Sequence, residues 1–144
     1  MLRLQQEKPM YAGAIQSGQE ALITLRALEA PSRSADVVIA RALGLPLKNP
    51  FLDCPDLVED VDNEWMVVTG DRWPPLPRYT GSSDVAERTV REMFEGAMVD
   101  SLQTGPNEFR AIVHKPNGFK YSGSAWPTRP LAIMGAAFEA KLGE

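Results

Sequence analysis

Side chains that could perform catalysis are few in this sequence. His114 is the single histidine, and it ends a strand-like run that begins at Phe109. General acid–base catalysis needs partners within hydrogen-bond reach of the histidine, and an enzyme would have to assemble a charge cluster such as Glu108, Arg110 and His114. The ordinary interpretation, a histidine at a strand end beside a turn, is the favoured one. We therefore predict that the protein is not an enzyme and has no catalytic residue.

The sequence also argues against a metal site or a cofactor. Cys54, the one cysteine, lies between carboxylates, whose negative charge disfavours the reactive thiolate. Asp60-x-Asp62-x-Glu64 resembles the start of a calcium loop, but Trp65 stands where an EF-hand needs glycine. Gly-rich phosphate loops of the Walker or dinucleotide-binding pattern are absent from the sequence. We expect neither a metal nor a cofactor.

Aromatic and basic residues occur together in two loops, one rich in proline and one beside the last hairpin. Aromatic faces can stack on a base and arginines can hold a phosphate, so a nucleotide-type ligand is one candidate. The alternative, which we favour, is that Trp73, Tyr79 and Trp126 seal the edge of the core. The candidate ligand-binding residues are Arg72, Trp73, Arg78, Tyr79, Lys120, Tyr121, Trp126 and Arg129.

A long acidic loop extends from Lys48 to Asn63. A solvated surface loop is the ordinary interpretation of such a stretch. The alternative is a surface that binds a basic partner, or one that imitates the charge of nucleic acid toward such a partner. The candidate partner-binding residues are Asp56, Glu59, Asp60 and Asp62.

Helical patterns must position these loops. Helix formers run from Tyr11 to Ala30 and are dependable from Gln19 onward, because two glycines weaken the first half. A second helix is predicted to begin at an N-cap Ser34, with Asp36 in its first turn. The third follows N-cap candidates between residues 80 and 84, and the fourth follows Thr128. Residues 131–138 of the fourth carry no charge, so this helix must be covered on more than one side and would suit an oligomer interface.

Strand patterns cover residues 64–69, 99–103, 109–114 and 119–125. Pro116, Asn117 and Gly118 predict a hairpin turn between the last two, with Gly118 in the left-handed conformation. The order α-α-β-α-β-β-β-α predicts an α+β fold, in which a small antiparallel β-sheet is covered by α-helices as an α/β/α sandwich-like single domain. We assign residues 21–144 to this domain and residues 1–20 to a loosely ordered N-terminal arm.

Composition excludes several classes of function. A net charge of −4 and a pI near 5.1 argue against general nucleic-acid binding, which needs a basic face. The sequence has no apolar run of about 18 residues and no apolar signal core in its first eight residues. We therefore expect a cytoplasmic protein that does not bind membranes.

Three segments resemble a known family. The run from Leu25 to Gly44 looks like an opening found in small phage proteins, and Pro77 to Ala86 looks like their Pro-x-Tyr-Thr-x-Ser-x-Asp-x-Ala element. Thr128 to Ile133, followed by a small-residue helix, looks like their ending, although Arg129-Pro130 stands where the family often has Pro-Ala. Together these segments resemble the phage ABA sandwich domain. The resemblance implies phage or prophage origin and a sheet between helical layers, and it assigns no catalytic residue.

Three functions follow as alternatives. The first is a non-enzymatic phage accessory protein, acting as a homo-oligomer, that neutralises a host component. It would either capture a host defence protein through the acidic loop or sequester a nucleotide-type immune signal. The second is a structural or packaging accessory protein of a phage. The third, an enzyme of unknown reaction, is the least favoured.

Overall fold

The computed structural model describes residues 18–143, which form four α-helices and two small antiparallel sheets. The helices are α1 (18–26), α2 (Arg33–Ala42), α3 (Ser83–Met93) and α4 (Arg129–Leu142). The strands are β1 (Leu47–Lys48), β2 (Met66–Val67), β3 (Met98–Gly105), β4 (Glu108–His114) and β5 (Lys120–Ser122). Two 3₁₀ turns, Pro55–Leu57 and Val61–Glu64, lie between β1 and β2. The predicted α+β class is confirmed.

Hydroxyl side chains set the start of three helices. Ser82 accepts a hydrogen bond from the Val85 amide at the start of α3, and Thr128 accepts one from Leu131 at the start of α4, as the sequence predicts. The predicted N-cap of α2, Ser34, is wrong. Ser32 caps that helix two residues earlier, because its extended backbone aims the hydroxyl at the Ala35 amide, 3.2 Å away.

A two-stranded sheet joins β1 to β2, and the sequence predicts only the second of these strands. Leu47 pairs with Val67, and Lys48 pairs with Met66. A strand of two residues is too short to show alternation, so β1 is defined by its partner and not by its own pattern. The predicted strand at 64–69 is correspondingly shorter, since residue 64 belongs to a 3₁₀ turn. The fold therefore has two sheets where one is predicted.

The three-stranded sheet has the order β3-β4-β5 and is antiparallel throughout. Its last hairpin closes as predicted: Lys115 donates its amide to the Phe119 carbonyl at 2.8 Å, and Gly118 has a φ of +87°. Glycine adopts this positive φ without strain because it has no side chain. Ala111 and Val113 point inward from β4 and are buried.

Helix α4 forms the centre of the core. All eight residues from Leu131 to Phe138 are buried, against the sheet on one side and against α3 on another. Helix α1 also reaches it, because Gly18 lies beside Leu142 and Arg26 lies beside Glu139. The prediction that this helix is covered on more than one side is confirmed. The cover comes from the same chain, so the inference that this helix forms an oligomer interface is wrong.

Part of the predicted N-terminal arm falls outside the described residues. Residues 18–20 belong to α1, whereas the prediction for residues 1–17 is not tested. In the part of the chain from 18 to 143, no helix is both long enough and apolar enough to cross a bilayer.

Candidate functional site

The most unusual surface is the acidic segment, which we define as residues 49–71. It contains seven carboxylates and no lysine or arginine. The remainder of the chain has fifteen basic and twelve acidic residues, so its net charge is positive while the whole protein has −4. The acidic side chains of the segment are Asp53, Asp56, Glu59, Asp60, Asp62, Glu64 and Asp71.

Local hydrogen bonds hold this segment in a defined shape. Asn49 closes the first part of the segment, residues 49–61, because its side-chain amide donates to the Val61 carbonyl at 2.8 Å and its side-chain oxygen accepts from the Phe51 amide at 3.0 Å. Trp65 then anchors the segment to helix α2, where the Arg41 guanidinium lies 5.4 Å from the centre of its ring. The carboxylates are thus presented on a structured loop.

The carboxylates of the segment are not neutralised by neighbouring bases. Within residues 18–143, none of the seven forms an ion pair. Lys48, which directly precedes the segment, lies 4.3 Å above the Trp73 ring. The four predicted partner-binding residues Asp56, Glu59, Asp60 and Asp62 are all exposed, as is Asp53. A surface of this kind attracts cationic groups on another molecule.

Exposed apolar side chains lie among these charges. Leu57 is 73% exposed and Leu52 is 56% exposed, while Trp73 beyond the segment is 43% exposed. Large apolar side chains that project into water and are ringed by charge are characteristic of protein-binding surfaces. The segment therefore combines long-range attraction with residues that can be buried on contact.

The Asp60-x-Asp62-x-Glu64 segment, whose sequence resembles a calcium loop, does not have the geometry of such a loop. Asp60 accepts hydrogen bonds from the Asp62 amide at 3.1 Å and the Asn63 side chain at 3.3 Å, which makes it a cap for the second 3₁₀ turn. Among residues 18–143, no group of three or more His, Cys, Asp and Glu side chains could hold a metal ion.

Two of the aromatic residues in the candidate ligand site, Tyr79 and Trp126, are part of the core. Tyr79 is 3% exposed, and burial together with the nearby carboxylates of Glu92 and Asp36 raises its pKa to about 12. Trp126 is also 3% exposed, with Arg26 stacked 5.2 Å from its ring centre and Gly135 against the ring. This burial agrees with the alternative interpretation for Tyr79 and Trp126, but the same interpretation is wrong for Trp73, which is 43% exposed and does not seal the core.

The basic candidates are placed in separate surroundings. Arg129 donates to the backbone and side chain of Ser101, and Arg78 lines a cavity of about 100 Å³ beside Arg33 and Asp36. Lys120 projects from the exposed face of β5, and Arg72 is exposed next to Trp73. Nucleotide sites typically occupy pockets of roughly 300 Å³ or more, so this cavity is too small for a nucleotide.

Tyr121 takes part in a polar cluster that the sequence does not predict. Its hydroxyl donates to Glu139 at 3.3 Å, and Ser124 donates to the other oxygen of Glu139 at 2.8 Å. Burial and the negative charge of Glu139 raise the pKa of Tyr121. These contacts tie β5 to α4 and give Tyr121 a structural role.

The enzyme-type cluster does not assemble. Glu108 and Arg110 form an exposed ion pair of 3.5 Å, while His114 binds Asp100 instead, with Nε2 and a carboxylate oxygen 2.8 Å apart. Both pairs involve the outer, open side of the sheet. Because these side chains are largely exposed to solvent, the two pairs resemble surface ion pairs more than an active site.

The structure contains a buried polar network around Asp36 that the sequence does not predict. Asp36 is 1% exposed, accepts the amide and hydroxyl of Thr80 at 2.9 and 2.8 Å, and pairs with Arg33 at 2.8 Å. Arg33 also donates to the Leu76 carbonyl at 2.8 Å. Burial raises the pKa of Asp36, against the opposing effect of these donors. The Arg33-x-x-Asp36 spacing is the one sequence signal for the pair.

Comparison with known proteins identifies no relative of this chain. No protein-family model matches the chain, and no curated protein or solved structure matches it. The resemblance to the phage ABA sandwich domain therefore stays a prediction.

Proposed function

We propose that this protein is a non-enzymatic binding protein that captures a protein partner through its acidic segment. The observation that carries the proposal is a structured loop with seven carboxylates, no base and two exposed leucines. The partner surface would be basic at its rim and apolar at its centre. In the setting suggested by the family resemblance, the protein is a phage or prophage accessory protein that neutralises a host protein in the bacterial cytoplasm.

The physical mechanism has two stages. The uncompensated charge speeds encounter with a basic surface, which depends strongly on ionic strength. Leu52 and Leu57 then become buried, and the segment needs little reorganisation because Asn49 and Trp65 already fix its shape. Capture through this segment is favoured over nucleotide sequestration, because Tyr79 and Trp126 are buried and Arg129 is engaged within the chain.

Two triple variants, each of which removes three negative charges, test the proposal. The first is Asp56→Asn, Glu59→Gln and Asp62→Asn, which spares the capping Asp60. The matched control, called the α3 control, is Glu87→Gln and Glu92→Gln on α3 together with Glu95→Gln just beyond its end. Each variant is used to purify partners from bacterial lysate, and any recovered partner is then purified and its affinity measured at low and high salt.

We expect wild type and the α3 control to bind the same partner, and the segment variant to bind it at least roughly tenfold more weakly. Binding by wild type should also weaken as salt increases. Equal affinity for wild type and the segment variant would overturn the proposal. A saturable rise in melting temperature with a nucleotide, and no protein partner, would favour sequestration instead.

A further inference from the structure

Strand β3 is an outer strand of its sheet, and half of its backbone groups point away from that sheet. On the far side of β4, Gly123 donates its amide to the Ala111 carbonyl at 2.9 Å. Phe109 and Trp126 exchange two backbone hydrogen bonds on that same side, at 2.8 and 2.9 Å. In an antiparallel sheet, the amide and the carbonyl of one residue point to the same side of its strand. The residues of β4 that bond on the far side therefore direct neither group toward β3. Their partners on β3, which therefore face outward, are Val99, Ser101 and Gln103.

An open strand edge of this length can pair with another strand. β3 has eight residues and contains neither proline nor lysine, the residues that commonly protect edges. Its outer face also carries two exposed apolar side chains, since Met98 is 69% exposed and Leu102 is 45% exposed. Asp100 and the irregular register after Gln103 protect this edge in part, but within residues 18–143 no strand pairs with the outer side of its centre at Ser101.

Arg129 protects the centre of this edge. Its guanidinium donates to the Ser101 carbonyl at 3.1 Å and to the Ser101 hydroxyl at 2.6 Å, and it lies 5.3 Å from the centre of the Phe109 ring. Ser101 is the middle one of the three outward-facing residues. One side chain from the start of α4 thus occupies the central acceptor of the free edge.

We propose that Arg129 prevents β3 from pairing with β3 of a second copy of this chain. A second copy is a fitting occupant because it presents an edge of the same length with the same three outward-facing residues. In an antiparallel pairing about a two-fold axis at Ser101, Val99 of one copy faces Gln103 of the other, and donors meet acceptors. The inference is independent of the acidic segment, which lies elsewhere in the chain.

The test compares wild type with Arg129→Met, which keeps an apolar stem over Phe109 and removes the donors. Molar mass is measured by light scattering over a wide range of protein concentration, and amide exchange is measured at the outward-facing residues. We expect Arg129→Met to dimerise as concentration rises. Exchange at Val99, Ser101 and Gln103 should then slow at least roughly tenfold.

Gln103→Pro supplies the matched control, since it removes an outward amide and leaves the β3–β4 hydrogen bonds intact. In the Arg129→Met background it should restore the wild-type molar mass. Arg129→Leu serves as a second variant if Arg129→Met does not fold, and it should also dimerise because leucine has no donor for the Ser101 carbonyl and hydroxyl.

Three results would overturn the inference. The first is a folded Arg129 variant with the molar mass and edge-amide exchange of wild type. The second is a dimer that persists when Gln103→Pro is added. The third is wild-type protein whose edge amides already become protected as concentration rises.

Discussion

At the scale of single residues, buried polar groups join parts of the chain that are distant in sequence. Asp36 on α2 holds Thr80, which lies in the loop that leads into α3. Ser32 completes the connection, because its amide donates to the Thr80 hydroxyl at 2.9 Å. A buried carboxylate is retained only where such donors compensate its lost hydration. The network therefore fixes the angle at which α2 meets the loop before α3.

Tyr79 should make stability depend on alkaline pH. Its pKa is raised to about 12 in the folded protein, against about 10 in an unfolded chain. Below about pH 10 both states hold the proton, and the stability is fully present. Between about pH 10 and about pH 12 the unfolded state loses its proton first, so stability falls by roughly 2 to 3 kcal/mol.

The measurement is urea unfolding of wild type and Tyr79→Phe from neutral pH to about pH 12. Phenylalanine does not titrate, so the difference between the two proteins should change across the alkaline range and stay constant below it. Parallel curves for the two proteins would show that Tyr79 ionises equally in both states.

At the scale of elements, α4 depends on one glycine that faces a large ring. A Cβ atom at Gly135 would overlap the Trp126 indole. Alanine normally stabilises a helix interior relative to glycine by about 1 kcal/mol. At Gly135 the sign should reverse, because the indole is enclosed by Arg26 and α4 and cannot move away.

We expect Gly135→Ala to lower the free energy of unfolding by about 3 kcal/mol. Gly143→Ala at the end of the same helix is the control, since the nearest atom to its added Cβ is 3.4 Å away. That variant should lie within about 0.5 kcal/mol of wild type. Chemical denaturation gives both values, and equal effects of the two substitutions would contradict the packing described here.

The elements show which parts of the fold the sequence determines locally. The caps Ser82 and Thr128 and the turn at Gly118 act within a few residues, so their patterns predict them correctly. β1 forms only because Met66 and Val67 are available across the acidic segment. No local pattern encodes such a pairing.

The same distinction applies to the candidate site. The exposure of the acidic residues was predictable, because charged side chains on a loop have no reason to be buried. The engagement of Arg129 by Ser101 and the burial of Trp126 against Gly135 depend on contacts between separate elements. The sequence shows which residue types could bind a ligand, but it does not show the contacts that those residues make within the fold.

At the scale of the whole molecule, charge is distributed unevenly. The acidic segment holds seven carboxylates, and the rest of the chain has an excess of basic residues. Repulsion within the segment opposes the compact loop that Asn49 closes. Added salt should therefore stabilise the folded protein.

We expect the free energy of unfolding to rise by roughly 1 kcal/mol between about 20 mM and about 300 mM sodium chloride, as the Debye length shortens. The Asp56→Asn, Glu59→Gln, Asp62→Asn variant should lose most of this rise, whereas the α3 control should retain it. Urea titrations at several salt concentrations measure the effect. A salt response of equal size in all three proteins would assign it to charges outside the segment.

The position of α4 in the chain has a consequence for folding during synthesis. This helix follows every element that it covers, and its contact with α1 joins residues more than a hundred positions apart. While the ribosome is still making residues 129–142, the inner faces of the sheet and of α3 lack the helix that covers most of their apolar surface. The nascent chain therefore exposes apolar surface until α4 emerges, and it should be a substrate for chaperones over that interval.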